Sequence, residues 1–222
     1  MKQYLTLLKH CPLFARMDER ALEALLVCLG AKMLHFAKGK SILAQGDPAR
    51  FFGVVLSGSV QVIRGHVQGE HTVIAAVEEG GIFAETLACA ALEALPVHVV
   101  AMSDCTVMLL EHSRVVKACG KGCVAHSQLV VALLGLIAQK NMQLNQKLEI
   151  VMQRTTREKL MAFLRMHSRK AGSDHFSIPF DRQGLADYLG VERSAMSTEL
   201  NKLKREGAID FHKNEFTLKT MT

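Results

Sequence analysis

The sequence predicts an α+β fold in three parts: an N-terminal jelly roll (a double-stranded β-helix), a long central helix, and a C-terminal winged helix-turn-helix. Three observations predict it. Between Ala31 and Glu111, short β-type runs alternate with Gly-bearing turns, the rhythm of an antiparallel double sheet. From Val124 to Val151, apolar residues keep the roughly 3.5-residue step of a two-helix seam. Between Asp181 and Leu200 a cap, a small residue, a glycine and an apolar stripe follow at the spacing of two crossing helices. The expected segments are 1–121, 122–151 and 152–222.

Residues 2–10 and 18–29 read as two short helices. Asp18 is placed to cap the second, whose apolar face is Ala21, Leu22, Leu25, Leu26 and Leu29. Strands are expected at 33–36, 41–44, 51–56, 59–64, 72–77, 97–102 and 105–110. The intervening turn signals are Lys38-Gly39, Gly46-Asp47-Pro48, Ser57-Gly58, Gly65, Gly69 and Gly80-Gly81.

In the central helix, Val130, Ile137, Leu144 and Val151 fall at one seam position. Leu134, Asn141 and Leu148 fall at the other. A polar Asn141 in such a seam costs stability but fixes register and favours a dimer. Val130, Leu134, Ile137, Asn141, Leu144 and Leu148 are therefore the expected dimer seam. The apolar stretch at 129–134 also suits packing on the chain's own domain.

After Val151 a further helix runs to about His167, with Leu160, Phe163 and Leu164 on its apolar face, and a strand is expected at 176–180. Asp181 caps the next helix, Ala186 is small where two helices approach, and Gly190 makes the turn. Met196, Leu200 and Leu203 form the stripe of the second helix. Gly207 stops it, and 209–211 with 215–218 make a wing. A helix entering the major groove meets base edges with its N-terminal residues. Those are Arg193, Ser194, Ser197 and Thr198, with Arg193 suited to a bidentate contact to guanine. Arg182, Lys202, Lys204 and Arg205 are expected on phosphates, which supply affinity rather than sequence.

Charge agrees with an anionic partner. The net charge is +6, and residues 151–222 hold 13 Lys and Arg against 9 Asp and Glu. No signal peptide is evident at Met1-Lys2-Gln3-Tyr4-Leu5, and the longest apolar stretch, 129–138, is far short of the ~20 residues of a membrane span. A cytoplasmic protein without membrane contact is expected. The six cysteines, Cys11, Cys28, Cys89, Cys105, Cys119 and Cys123, lack paired spacing and suit reduced core thiols. Cys119 and Cys123 stand four apart, but no second pair completes a metal site, and none is expected. No nucleophile–base set, phosphate loop or usefully spaced carboxylate pair points to an enzyme.

Lys38-Gly39, Ile42, Gly46-Asp47, Ala49, Phe52, Gly58 and Val60 resemble the signature of a cyclic-nucleotide-binding β-roll. With the helix-turn-helix, nearly the whole chain resembles the CRP/FNR family of bacterial transcription regulators. The resemblance implies a homodimer that binds a near-palindromic DNA operator and RNA polymerase under control of a small effector in the β-roll. It also implies an effector pocket of Gly81, Ala84, Glu85, Thr86, Val97 and His98, reached by Lys140 and Asn141 from the central helix. Two departures stand out. Ala84 occupies the family's glycine, and Leu95-Pro96 stands where an Arg-Ser pair neutralises the cyclic phosphate. Losing that charge-assisted contact costs on the order of 1.5–3 kcal/mol, so the expected effector is a small molecule other than cyclic AMP. Family members often carry Arg-Glu at the first two recognition positions and Arg at the fourth of the four named. Arg193-Ser194 and Thr198 imply a different operator.

Two alternatives stay open at this level. One is a haem or redox/gas-sensing regulator of the same fold, with His98 or Cys89 as an axial ligand. An iron–sulfur cluster is not expected, because only Cys11 and Cys28 lie near the N-terminus. The other is a β-roll module whose helix-turn-helix contacts protein. In the regulator reading, effector binding shifts the seam about a hinge near residues 149–154.

Overall fold

Glycines and alternating strands set the N-terminal architecture; capped amphipathic helices set the rest. The computed structural model describes residues 2–65, 71–117 and 123–219; Gly69 and Cys119 lie outside the described residues. The chain divides into two compact units, 1–138 and 139–222, and the boundary falls inside the long helix.

In the first unit, α1 (Leu5–His10) and α2 (Glu19–Leu29) precede the sheets. The Asp18 carboxylate accepts from the Ala21 N–H at 2.8 Å, satisfying a donor that the first turn leaves free. Leu22, Leu25, Leu26 and Leu29 are buried, so the apolar stripe of α2 faces inward.

The strands are β1 (Lys32–Phe36), β2 (Ser41–Leu43), β3 (Phe51–Ser57), β4 (Val60–Gly65), β5 (His71–Val77), β6 (Ile82–Phe83), β7 (His98–Ala101) and β8 (Cys105–Glu111). They make two antiparallel sheets, ordered β1-β8-β3-β6 and β2-β7-β4-β5. The expected strands are present; the two-residue β6 is additional. Side chains of period two split the run at Phe51 to Leu56 between two cores. Phe52, Val54 and Leu56, with Met108 and Leu110 of β8, pack toward α1 and α2. Val55, with Val107 and Leu109, faces Val60, Val99 and Ala101 of the other sheet. Gly58 carries the β3–β4 turn at φ +75, and a Cβ there would come within 2.4 Å of the Asp104 carbonyl oxygen.

Two short helices, α3 (Glu85–Cys89) and α4 (His112–Val116), complete the roll, and α5 (Val124–Val151) follows. Its start is fixed by Ala125, Leu129 and Leu133, buried in the helical core, and by buried His126. The His126 Nε2 lies 2.6 Å from the Val115 carbonyl oxygen, which makes that nitrogen the donor. Ile137, expected in the dimer seam, packs partly buried against this same core. A heptad marks an apolar helix side without naming which surface covers it, and here the chain's own core takes Ile137.

In the second unit, α6 (Thr156–Ala171), β9 (His175–Ser177), α7 (Arg182–Leu189), α8 (Arg193–Arg205), β10 (Ile209–His212) and β11 (Glu215–Leu218) surround one core. A capping box opens α6: the Thr155 hydroxyl accepts from the Glu158 N–H, and the Glu158 carboxylate accepts from the Thr155 N–H. The wing is a three-stranded antiparallel sheet ordered β10-β11-β9. β9 stops at Ser177, short of the expected 180, because Pro179 has no N–H for a ladder. Ile150 is buried in this core, and the Lys147 ammonium lies 4.9 Å from the Tyr188 ring centre. Of the expected hinge at residues 149–154, Ile150 is packed into the C-terminal core, and the boundary between the two compact units lies at 138/139.

Candidate nucleic-acid interface and effector site

The recognition module is built on caps. The Asp181 carboxylate accepts from the Gly184 N–H at 2.7 Å and opens α7. Gly190 ends α7 at φ +60, a left-handed geometry that a side chain would strain. Its N–H and that of Val191 turn back on Ala186 and Asp187 carbonyls. Met196, Leu200 and Leu203 of α8 then bury against Leu185, Ala186 and Leu189.

Burying that stripe leaves Arg193, Ser194 and Thr198 exposed at the start of α8, with Ser197 half-buried beside them. The Ser197 hydroxyl donates to the Arg193 carbonyl at 2.9 Å, and the Thr198 hydroxyl donates to the Ser194 carbonyl at 3.0 Å. The Ser194 hydroxyl donates to the Glu192 carboxylate. Arg157 of α6 spans two carboxylates of α8's outer side, with Nη1 at 3.2 Å from Glu199 Oε1 and Nη2 at 2.5 Å from Glu206 Oε2. Hydrogen bonding from Arg157 holds the Glu206 carboxyl below its ordinary value.

The four expected phosphate contacts divide in two. Lys202 and Arg205 are exposed on the last turn of α8. Lys204 donates to the Asp210 carboxylate at 2.6 Å and to the Phe211 carbonyl at 3.1 Å. Arg182 stacks over Phe211 and Phe216, 4.9 and 5.4 Å from the ring centres. Burial lowers the Arg182 pKa, and its Nη1 is buried without a hydrogen-bond partner. Arg182 and Lys204 thus clamp the Phe211 ring, Lys204 at 5.1 Å, and hold the wing to both helices. Sequence reasoning missed this because Asp210, Phe211 and Phe216 lie on later strands.

Of the expected effector residues, Gly81, Ala84, Glu85, Thr86, Val97 and His98 belong to the first unit, and Lys140 and Asn141 to the second. Ala84 adopts φ +61 before α3, the left-handed conformation that glycine takes without strain. Glu85 is buried and accepts from the Thr86 hydroxyl at 3.0 Å. Leu95 and Val97 are buried. Strand alternation separates His98 from Val99 and Ala101, which face the inter-sheet core. The His98 ring accepts the Gln45 N–H on Nδ1 at 3.2 Å. A groove of about 710 Å³ lies in the C-terminal unit among Ile150, Met161, Arg165 and Met166, and includes none of these effector residues. Among the described residues no cluster of three metal-ligating side chains occurs, and no helix is long and apolar enough to cross a membrane.

The expected seam residues Leu134, Asn141, Leu144 and Leu148 are exposed along α5, and Val130 is half-buried. The Asn145 amide donates to Asn141 Oδ1 at 3.1 Å.

Two family models match in tandem: a cyclic nucleotide-binding domain over residues 33–121 and a Crp-like helix-turn-helix domain over residues 158–222. The nitrogen fixation regulation protein FixK of Bradyrhizobium diazoefficiens is 24% identical over 186 residues, covering 80% of this chain and 74% of that protein. The global nitrogen regulator of Synechococcus elongatus is 22% identical over 190 residues, covering 83% of this chain and 84% of its own. The Thermus thermophilus catabolite activator protein shares the fold with a TM-score of 0.56 at 21% identity, over 94% of this chain and 93% of its own.

Proposed function

Because the chain belongs to the CRP/FNR family of transcription regulators, we propose that it acts as a homodimer that reads an operator with α8 and answers to a small effector other than cyclic AMP. The observation that carries this reading is the start of α8. Its buried stripe leaves Arg193, Ser194 and Thr198 exposed together, at the end of a recognition helix that meets base edges. Lys202 and Arg205 supply phosphate contacts, while Arg182 and Lys204 hold the wing. The two protomers meet along the exposed stripe of α5, where Leu134, Leu144 and Leu148 flank Asn141. Two copies of α8 then address half-sites one helical turn apart, ~34 Å.

The effector reading rests on charge. Leu95 is buried where the family resemblance places the arginine of an Arg-Ser pair. That environment disfavours a buried phosphate and suits a neutral or weakly charged molecule. Fluorescence anisotropy of labelled promoter duplexes against salt tests the DNA reading: binding should weaken steeply between 50 and 200 mM salt, by ~10³-fold for about six phosphate contacts. Salt-independent or absent binding contradicts it. Native mass spectrometry of the freshly purified protein tests the effector reading, which predicts a retained small molecule and no added affinity from cyclic AMP.

A further inference from the structure

The DNA-reading end of α8 carries a carboxylate outside the four expected base contacts. Three glutamates lie on or beside this helix: Glu192, Glu199 and Glu206. Arg157 engages the last two. Glu192 is exposed at the N-cap position, forms no ion pair among the described residues, and does not cap the helix with its own side chain. Its partner is the Ser194 hydroxyl, two residues on, which donates to Oε2. That bond ties the carboxylate to Ser194 in the first turn of α8, next to Arg193.

A carboxylate at this place is repelled by every phosphate. The groups in a major groove that reward it are the exocyclic amines, cytosine N4 above all and adenine N6. The rest of the surface has the same polarity. The Ser194, Ser197 and Thr198 hydroxyls each donate to a protein oxygen in the free protein. Arg193 is then the one strong donor among these residues. We infer that Glu192 is a specificity-determining residue that accepts a hydrogen bond from the amino group of a cytosine or adenine next to the guanine read by Arg193.

This rests on the DNA-binding reading above, and it makes Ser194 a positioning residue for Glu192. Its test is binding-site selection from a randomised duplex library with full-length wild type, Glu192→Ala, Glu192→Gln and Ser194→Ala, with melting curves to check folding. The expected wild-type site has one guanine set by Arg193 and a neighbouring cytosine or adenine; the selected base tells which amine is read. Glu192→Ala should lose preference at that one pair by about tenfold while keeping the guanine. Ser194→Ala should lose part of it. An unchanged site for Glu192→Ala overturns the proposal. So does tighter binding to all sequences with no lost preference, which marks Glu192 as a repulsive charge alone. Failure of the wild type to enrich any sequence sinks the DNA-binding reading instead, which keeps the two apart.

Discussion

Arg157 Nη2 lies 2.5 Å from Glu206 Oε2, and through this contact α6 fixes the far end of α8. The same guanidinium reaches Glu199 at 3.2 Å, so one cation quiets two acids on a helix that approaches DNA. Arg157→Ala should therefore weaken DNA binding several-fold at low salt although Arg157 is not a proposed DNA contact. Glu199→Gln with Glu206→Gln in that background should restore most of it. Anisotropy titrations of the three proteins check this; equal affinity of Arg157→Ala and wild type contradicts it.

Arg193 and Lys202 should behave differently. Arg193→Ala should cost ~1–3 kcal/mol on the operator and little on random DNA. Lys202→Ala should weaken both alike and reduce the salt slope by about one. Titrations at several salt concentrations separate the two outcomes.

Arg182 is assigned to the wing, so its loss should register as stability. Arg182→Met keeps apolar contact with Phe211 and Phe216 but removes the cation–π contact, worth about 1 kcal/mol. Melting should shift down while the salt slope of DNA binding stays fixed. A slope reduced by about one with unchanged melting would return Arg182 to the phosphate contacts.

His167 supplies a pH dependence. Burial first, and then the Lys170 charge, lower its pKa from the ordinary 6.5, with its ring 4.4 Å from the centre of Phe163. The folded state therefore binds a proton less readily than the unfolded chain. Stability from this group is full above about pH 6.5 and falls as pH drops through that value toward the lowered one. Thermal melts between pH 7.5 and 5.5 should show this loss, and His167→Gln should flatten it.

The seam makes its own prediction. Leu148 is exposed in the single chain, at 45%. Leu148→Asp should convert a dimer to a monomer in mass photometry while melting of each unit persists. A variant that stays dimeric at nanomolar concentration moves the interface elsewhere.

Much of this architecture was legible because its signals are local. Asp18, Asp181 and Gly190 act within four residues of themselves, and each occupies the expected cap or turn. The strands were legible because glycine turns bound them, and the stripe Met196, Leu200 and Leu203 because one helix carries it. What escaped depends on distant partners. Nothing near Lys204 announces its bond to Asp210 across the α8–β10 turn, nor does Arg182 announce Phe216, 34 positions on. Ile137 fits the heptad and is also half-buried against the core of its own chain, since periodicity gives a face and not its cover.

The most direct measurement is a hydroxyl-radical footprint of the full-length protein on its selected operator. A dimer with two recognition helices gives two protected patches related by a two-fold axis, with centres one helical turn apart, ~34 Å, and loses the symmetric pattern with Leu148→Asp. A single unsymmetrical patch for the wild type, or protection that Leu148→Asp leaves unchanged, contradicts a dimer that presents two recognition helices through the α5 seam.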